Sequence, residues 1–312
     1  MIKILMLEPV LDFSRIENSF GKNFVFISAE NSNPSEVDAL FVKLGHQLTA
    51  EILSKFTNLR YILTPTTGLD HIDTNYCLDQ QIEILSLRSN PNLLSGITST
   101  MEIIWWHILE ATRQPNAAKD EVAAGLWDRS KHFSMSLAER NLGIVGFGRI
   151  GKQIAEVAKA FQMNILVSDI KLDTSEYSFV KASSTSEIFQ SCSIVVIAVT
   201  DSHENVDLID EKYLSLIPED GTVLINCSRG RILNENHVKK YFLRNRIKSL
   251  GLDVLKNETQ SENTWLSNNE IWKLIHDYPH RVRITPHIGG ATWDSLSKAE
   301  NAVFSTLRDK VK

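Results

Sequence analysis

The stretch from Asn141 to Gly151, NLGIVGFGRIG, constrains the fold more than any other part of the chain. Leu142 to Val145 is an apolar run of the length expected for a buried strand, and the apolar residues after the stretch recur at helical spacing. Gly146, Gly148 and Gly151 form a G-x-G-x-x-G pattern between them. A strand, a glycine-rich turn and a helix in this order are the context that a dinucleotide-binding motif requires, with the pyrophosphate at the start of the helix.

The three glycines have separate steric roles in such a motif. The first permits the tight turn, the second lets the pyrophosphate approach the backbone, and the third lets the helix pack close to the strand. A second strand is predicted at Asn164–Ser168, and Asp169 follows it, about 20 residues after the last glycine. An acid at this place binds the ribose 2′-hydroxyl and repels a 2′-phosphate, so the sequence predicts NAD rather than NADP.

Composition excludes several classes of function. The length of 312 residues indicates about two domains. The net charge of −5 gives no general attraction for nucleic acid or for an anionic membrane surface. No apolar run approaches the ~18 residues that a transmembrane helix needs, and the N-terminal run is more typical of a first strand than of a signal peptide. We therefore expect neither a nucleic-acid nor a membrane partner.

Cys77, Cys192 and Cys227 are odd in number and scattered along the chain, without a C-x-x-C pattern. This usage favours a reducing, cytoplasmic compartment. It predicts neither a disulfide framework nor a zinc site, and no metal is expected.

Residues 1 to 97 alternate short apolar runs with helical stretches, which predicts a small α/β domain with a parallel sheet. Two loops at predicted strand ends, Lys43–His46 and Thr64–Gly68, are candidate substrate loops, because ligands bind beyond the carboxyl ends of parallel strands. From the pattern alone they could equally be ordinary turns.

Residues 98 to 113 predict a buried helix that carries the chain into the second domain, and Ser99 with Glu102 matches a capping box. His107 in this helix is expected to be a core residue. The polar segment 114–139 contains Trp127 and Phe133. These rings predict an arm that packs either on a partner subunit or on its own domain.

Three polar residues fall at or just beyond predicted strand ends of the second sheet: Arg229, Glu258 and His287. The carboxyl ends of these strands line the cofactor cleft, so the three can converge there. Reduction of a 2-keto acid needs a planar cation for the carboxylate, a proton donor that titrates near neutrality, and a carboxylate that orients the donor. Taken singly, Arg229 could be a surface ion-pair residue and Glu258 a solvated acid.

The chain resembles the D-isomer-specific 2-hydroxyacid dehydrogenases over nearly its whole length. The resemblance is carried, in order, by Gly68-Leu69-Asp70-His71-Ile72-Asp73, Gly125-Leu126-Trp127, GFGRIG, NCSRG, GLDV and TPHIGG. It implies that the catalytic residues are Arg229, Glu258 and His287. It further implies backbone contacts to the substrate carboxylate from Leu44, Thr67 and Gly68, besides Arg229.

The motif and the resemblance together give one set of predicted cofactor-binding residues. They are Gly146, Gly148, Arg149, Ile150, Gly151, Asp169, Cys227, Asp253 and Gly290. The fold implied is α/β with two Rossmann-like domains. Residues 1–97 plus 288–312 would form a discontinuous, flavodoxin-like substrate domain, and residues 98–287 an inserted NAD-binding Rossmann domain through which a homodimer forms.

Two of the chain's departures from the family pattern bear on the cofactor contacts and on the substrate. Many members have His-x-Pro after the fourth Rossmann strand, where this chain has Ala198-Val199-Thr200. Phosphoglycerate dehydrogenases, which the chain also resembles, carry two arginines in the first substrate loop. Here the loop offers Lys43 and, as a second cation, His46, which weakens a 3-phosphoglycerate assignment.

The resemblance predicts an NAD-dependent oxidoreductase that interconverts a small D-2-hydroxy acid and its 2-keto acid. A phosphite-type dehydrogenase on the same fold is an alternative, whereas a formate dehydrogenase would need no His–Glu acid. A second alternative is an NAD(H)-sensing binding protein, the use that the carboxyl-terminal-binding corepressors make of this fold.

Overall fold

The computed structural model describes residues 1–20, 23–28, 33–89, 94, 96–258 and 264–311, and of His203 only the backbone. Among these residues the chain divides into two compact units. The first unit contains residues 1–97 and 291–311, and the second contains residues 98–258 and 264–290. Ile288 to Gly290 thus belong to the second unit, so the boundary lies three residues after the one expected at 287.

The strands of the described residues are β1 Ile2–Met6, β2 Phe24–Ser28, β3 Ala39–Phe41, β4 Tyr61–Thr64, β5 Glu83–Ser86, β6 Asn141–Val145, β7 Asn164–Ser168, β8 Val180–Ala182, β9 Ile194–Ile197, β10 Thr222–Asn226, β11 Ile247–Leu252 and β12 Val282–Ile284. The α-helices are α1 Phe13–Phe20, α2 Ala50–Leu53, α3 Thr74–Asp79, α4 Ser99–Arg113, α5 Pro115–Ala123, α6 Arg149–Ala160, α7 Thr185–Ser191, α8 Glu211–Leu214, α9 Glu235–Leu243, α10 Thr264–Asn268, α11 Glu270–Asp277 and α12 Trp293–Lys310.

The first unit is built on a five-stranded parallel sheet of order β2-β1-β3-β4-β5. This is the flavodoxin-like strand order. Helix α12 returns to this sheet from the end of the chain, and Phe304 stacks on Phe41 of β3 with ring centroids 5.0 Å apart. The apolar face of α12, with Val303 and Leu307, is buried in the same core.

The second unit has a seven-stranded sheet of order β12-β11-β10-β9-β6-β7-β8, and every pair of neighbours is parallel. The first strand of this unit, β6, lies inside the sheet between β9 and β7, and the strand order reverses between β6 and β9 as in Rossmann folds. Parallel strands buried on both faces are continuously apolar, and all four residues of β9 are buried. The two sheets confirm the predicted α/β fold with two Rossmann-like domains.

Helix α4 is buried against the second sheet through Ile104 and Ile108, as its apolar pattern predicts. The predicted capping box is wrong. The N-cap is Thr98, without a side-chain cap, and its hydroxyl instead donates to Glu102 Oε1 at 2.7 Å, while Ser99 is buried inside the first turn. The segment after α4 leaves Trp127 90% and Phe133 78% exposed, so neither ring packs on the unit that carries it.

Candidate functional site

The glycine-rich turn after β6 has the steric form that its sequence predicts. Gly146 has φ of +100°, and a Cβ there would lie 2.6 Å from the backbone of Ala198. A Cβ on Gly151 would lie 2.2 Å from the carbonyl oxygen of Gly146. A Cβ on Gly148 would meet nothing within 4 Å. The outer two glycines are therefore needed for packing, and the middle one leaves open space where a dinucleotide motif admits a pyrophosphate.

Helix α6 begins directly after this turn. Gly148 is its N-cap and offers no side chain to bind the first N–H groups of the helix. Arg149 and Ile150 open the helix and are half-buried, and burial lowers the pKa of the Arg149 guanidinium. The donors at the helix start and the open space at Gly148 fit the phosphates of NAD.

Asp169 is exposed at the end of β7 and is held by the glycine-rich turn. Its Oδ2 accepts a hydrogen bond from Phe147 N at 2.7 Å, and its Oδ1 accepts one from Lys171 N at 2.9 Å. The carboxylate is thus fixed beside the turn, at the place where such motifs bind the adenosine ribose. The arrangement fits a dinucleotide.

Arg229 lies in a turn after β10 that Asn226 holds at both ends. Oδ1 of buried Asn226 accepts Ser228 N at 3.0 Å, and its Nδ2 donates to the Arg229 carbonyl at 2.9 Å. Arg229 is half-buried, and its Nη1 donates to Ser228 O at 2.8 Å. A Cβ on Gly230 would lie 2.0 Å from the carbonyl carbon of Leu255, so this turn packs directly on the loop after β11.

Glu258 and His287 come from the loops after β11 and β12. Oε1 of Glu258 lies 2.8 Å from Nδ1 of His287, and the two side chains are 17% and 24% exposed. The second oxygen, Oε2, accepts Leu255 N at 3.2 Å, which fixes the carboxylate within its own loop. The fold therefore brings an acid and an imidazole together at the edge where the strands end, partly shielded from water.

Backbone hydrogen bonds connect these strand-end loops in series. Asp253 N donates to Asn226 O at 3.0 Å, and His287 N donates to Asp253 O at 2.9 Å. His287 has φ of +53°, the left-handed region that few side chains adopt. The imidazole thus lies on a bend whose geometry depends on the neighbouring strand end.

Asp253 holds this bend with both carboxylate oxygens. Oδ1 accepts Thr285 Oγ1 at 2.6 Å and Ile288 N at 2.9 Å, and Oδ2 accepts Gly289 N at 2.7 Å. The residue is 1% exposed, and burial raises its pKa above the ordinary value despite these bonds. Sequence reasoning offered Asp253 only as a cofactor contact and missed its bonds to the His287 loop.

His107 of α4 extends the same buried cluster. It is fully buried, and its Nε2 lies 3.1 Å from Thr285 Oγ1. Because the Thr285 hydroxyl gives its one proton to Asp253, it accepts from His107 Nε2–H. Burial, followed by the charge of Arg283, lowers the pKa of His107 to about 3, so the ring is neutral at neutral pH.

Cys227 and Gly290 complete the predicted cofactor set. Cys227 is buried directly after β10, and burial raises the pKa of its thiol well above the ordinary value, so the thiol is neither a nucleophile nor a metal ligand at neutral pH. Gly290 is exposed at the end of the second unit, with open space where a Cβ would be.

The predicted substrate-binding residues lie at the carboxyl edge of the first unit's sheet. Leu44 follows β3, and Thr67 and Gly68 follow β4. The Thr67 carbonyl accepts Arg88 Nε at 2.6 Å, and the Gly68 carbonyl accepts Thr66 Oγ1 at 2.7 Å. The loop after β4 is thus held by side chains of its own unit.

Two charged residues at this edge were missed by sequence reasoning, namely Glu8 after β1 and Arg88 after β5. Glu8 accepts hydrogen bonds from the backbone of the Lys43–His46 loop. Their only signal was their position just beyond two apolar runs, which does not distinguish them from surface charges. Among the described residues no cluster of His, Cys, Asp or Glu could hold a metal ion.

No helix in the described part of the chain combines the length and apolarity that crossing a membrane requires.

Two family models match the sequence. The model for the NAD-binding domain of D-isomer-specific 2-hydroxyacid dehydrogenases matches residues 105–289, and the model for their catalytic domain matches residues 25–91.

Known relatives agree with these models. A D-3-phosphoglycerate dehydrogenase of Methanocaldococcus jannaschii is 24% identical over 320 residues, which cover 100% of this chain and 57% of the relative. A glyoxylate reductase of Pyrococcus horikoshii is 27% identical over 279 residues, 87% of this chain and 79% of the relative. The chain spans about half the length of the phosphoglycerate dehydrogenases it matches.

A solved structure of similar fold is the D-lactate dehydrogenase of Aquifex aeolicus in complex with NAD and lactic acid. It superposes with a TM-score of 0.83 at 24% identity, over 99% of this chain and 95% of that one. The likeness concerns the fold. From the family models, which together match most of the sequence, the chain belongs to the D-isomer-specific 2-hydroxyacid dehydrogenases, a family of NAD-dependent oxidoreductases, and its cofactor is NAD.

Proposed function

We propose that the chain interconverts a small D-2-hydroxy acid and its 2-keto acid by hydride transfer. The observation that carries the proposal is the 2.8 Å contact between His287 Nδ1 and Glu258 Oε1 in the unit that also carries the NAD motif. Reduction of a keto acid consumes one hydride and one proton. NAD, when bound, exchanges the hydride with C2 of the substrate.

His287 exchanges the proton with the oxygen on C2. Glu258 accepts the hydrogen bond from Nδ1–H, which fixes the tautomer and directs Nε2 to the substrate. The carboxylate also stabilises the imidazolium from which the proton is given. The catalytic bend is held by Asp253, which is therefore a positioning residue.

Arg229 binds the substrate carboxylate and polarises the carbonyl group. A guanidinium suits both tasks because it presents planar, paired N–H donors and stays charged at all working pH values. Backbone groups of Leu44, Thr67 and Gly68 are the proposed substrate contacts of the first unit, which we assign as the substrate domain. The second unit is assigned as the cofactor domain.

The subunit contacts are a separate part of the proposal. We propose a homodimer formed through the second unit, because Trp127 and Phe133 are exposed on the segment after α4. We also propose a reducing, cytoplasmic location, which the three free, buried thiols support.

A panel of 2-keto acids with NADH tests the proposal, and it should include glyoxylate, pyruvate, hydroxypyruvate and 3-phosphohydroxypyruvate. Turnover of at least one acid to the D-hydroxy product is expected, with loss of turnover and retained NADH binding in His287→Ala. Tight NADH binding without turnover of any acid would favour a sensor, and oxidation of phosphite with NAD would favour the phosphite-type enzyme. Either result would contradict the proposal.

A further inference from the structure

The loop after β3, Lys43–His46, already binds a carboxylate of its own unit. Glu8 follows β1, which pairs with β3, so both lie at the same edge of the first sheet. Oε1 of Glu8 accepts Lys43 N at 2.8 Å and Gly45 N at 3.2 Å, and His46 Nδ1 lies 3.5 Å away. Backbone N–H groups that converge on one oxygen form an anion-binding loop. Here the chain fills that loop with its own anion.

The positively charged side chain of Lys43, in the same loop, forms an ion pair within its own unit. Nζ of Lys43 lies 2.6 Å from Oε1 of Glu300 on α12, and the two side chains are 20% and 1% exposed. Oε2 of Glu300 accepts Leu11 N at 2.9 Å. If Lys43 left to meet a substrate, the Glu300 carboxylate would remain buried without a counter-charge, which is strongly unfavourable. Lys43 is therefore a structural cation, and the carboxylates of Glu8 and Glu300 outnumber it.

The other side of the edge has the opposite charge. Arg88 follows β5 and its Nε donates to the carbonyl of Thr67 in the loop after β4. The charge at this edge therefore changes from positive at Arg88, after β5, to negative at Glu8, after β1. An acid held by backbone groups of Leu44, Thr67 and Gly68 would have its carboxylate at the ends of β3 and β4. Adjacent strands lie about 4.8 Å apart, so the remote end of a three-carbon acid can extend towards Glu8 at the end of the next strand, β1.

We propose that Glu8 is a specificity-determining residue that excludes a second anionic group, such as a phosphate, from the substrate end remote from the carboxylate. The substrate class is then a short 2-keto acid whose remaining groups are uncharged, with a hydroxyl able to donate to the Glu8 carboxylate. This inference rests on the proposed dehydrogenase function and specifies its substrate. Like charges brought together in a partly shielded site discriminate strongly between ligands of equal shape.

The test compares hydroxypyruvate with 3-phosphohydroxypyruvate, both reduced with saturating NADH, in the wild type and in Glu8→Gln. The amide keeps an oxygen that accepts the Lys43 and Gly45 N–H groups but carries no charge. We expect kcat/KM of the wild type to be about 100-fold higher for hydroxypyruvate than for 3-phosphohydroxypyruvate. E8Q should reduce this ratio about tenfold, because it lowers the KM for the phosphorylated acid. Glu51→Gln removes an equal charge from exposed α2 and should leave the ratio unchanged.

Raising the salt concentration provides a second measurement that needs no variant. Screening by salt should reduce the wild-type ratio of kcat/KM for hydroxypyruvate to that for 3-phosphohydroxypyruvate. The effect should be smaller in E8Q, because the negative charge of Glu8 is absent. A wild-type enzyme that reduces both acids equally well, or an E8Q ratio equal to the wild-type ratio, overturns the inference while the dehydrogenase function stands.

Absence of turnover with every acid would instead contradict the proposed function. Calorimetric titration of the NAD-loaded protein with D-glycerate and 3-phospho-D-glycerate then decides the inference separately. Binding of D-glycerate alone supports it, whereas tighter binding of the phosphorylated acid, or binding of neither, overturns it.

Discussion

Oε1 of Glu258 and Nδ1 of His287 lie 2.8 Å apart, although their loops follow different strands of the second sheet. The other oxygen of Glu258 is bound by Leu255 N, so the carboxylate is held from its own side before it meets the imidazole. A proton on Nδ1 is therefore shared with an oriented acceptor, and the free nitrogen of the ring is Nε2.

Replacing Glu258 by Gln removes the charge that stabilises the protonated imidazole and leaves a neutral acceptor. We expect kcat for keto-acid reduction to fall about 100-fold or more. Steady-state rates at saturating NADH measure the loss. Glu156→Gln, on the exposed face of α6, is the matched control, and an unchanged kcat in E258Q would contradict the assigned role.

Two alanine substitutions in the glycine-rich turn should have opposite consequences. In Gly151→Ala the new Cβ meets the Gly146 carbonyl, so the turn must shift, and we expect a loss of about 1–3 kcal/mol in the free energy of unfolding. In Gly148→Ala the space is open, so stability should be kept, but the methyl group lies where the pyrophosphate approaches and NADH affinity should fall. Chemical denaturation and NADH titration separate the two. Equal NADH affinity in Gly148→Ala and wild type would contradict the cofactor placement.

Asp169 should determine the choice between NAD and NADP. Asp169→Asn keeps an oxygen for Phe147 N but removes the charge that repels a 2′-phosphate. The ratio of kcat/KM for NADPH to that for NADH should rise about tenfold or more. Asp173→Asn is a control, because this exposed acid accepts Ser175 N in the next turn of the chain. A wild type that uses both cofactors equally, or an unchanged ratio in D169N, would refute the prediction.

His107 makes the stability of the second unit depend on pH. Its pKa is about 3 in the folded protein, against 6.5 for an ordinary histidine, because burial disfavours the charged ring. The unfolded chain therefore binds a proton here between about pH 6.5 and pH 3 and the folded chain does not. The contribution of His107 to the free energy of unfolding is fully present above this pH window. It decreases as the pH falls through the window, by at most about 1.4 kcal/mol per pH unit.

Urea denaturation at about pH 7.5 and about pH 5 checks this dependence. His107→Gln places a neutral N–H donor near the position of Nε2 and does not titrate. The variant should lose less stability on acidification than the wild type, whatever its stability at neutral pH. An equal loss in both proteins would show that other groups dominate the acid dependence.

Much of the fold follows from patterns in the sequence, because strands buried on both faces leave continuous apolar runs. Strand β8 was not predicted, since Val180–Ala182 is a half-exposed edge strand with a charged residue at its centre. The capping box at Ser99 was expected from spacing alone, and the helix begins there without it. Sequence spacing does not determine which hydrogen bond forms at the N-terminus of a helix when several polar side chains are close enough to form one.

The candidate site was also only partly predictable. The sequence places Arg229, Glu258 and His287 at one edge of the sheet, because parallel strands end there, and the contact between Glu258 and His287 agrees with that placement. Glu8 had no such signal, because its partners are backbone N–H groups of a loop far along the chain. The left-handed bend at His287 was equally hidden, since positive φ is uncommon for any residue other than glycine and no sequence pattern marked it here.

The hydrogen bonds of Asp253 determine when the bend that carries His287 becomes ordered. Its bonds to Thr285, Ile288 and Gly289 come from within one unit, so the bend is fixed together with the sheet when the chain folds. The conformational entropy of the segment that carries His287 is therefore lost during folding. The free energy of substrate binding does not have to offset this loss. Preorganisation of the imidazole is a property of the folded chain itself.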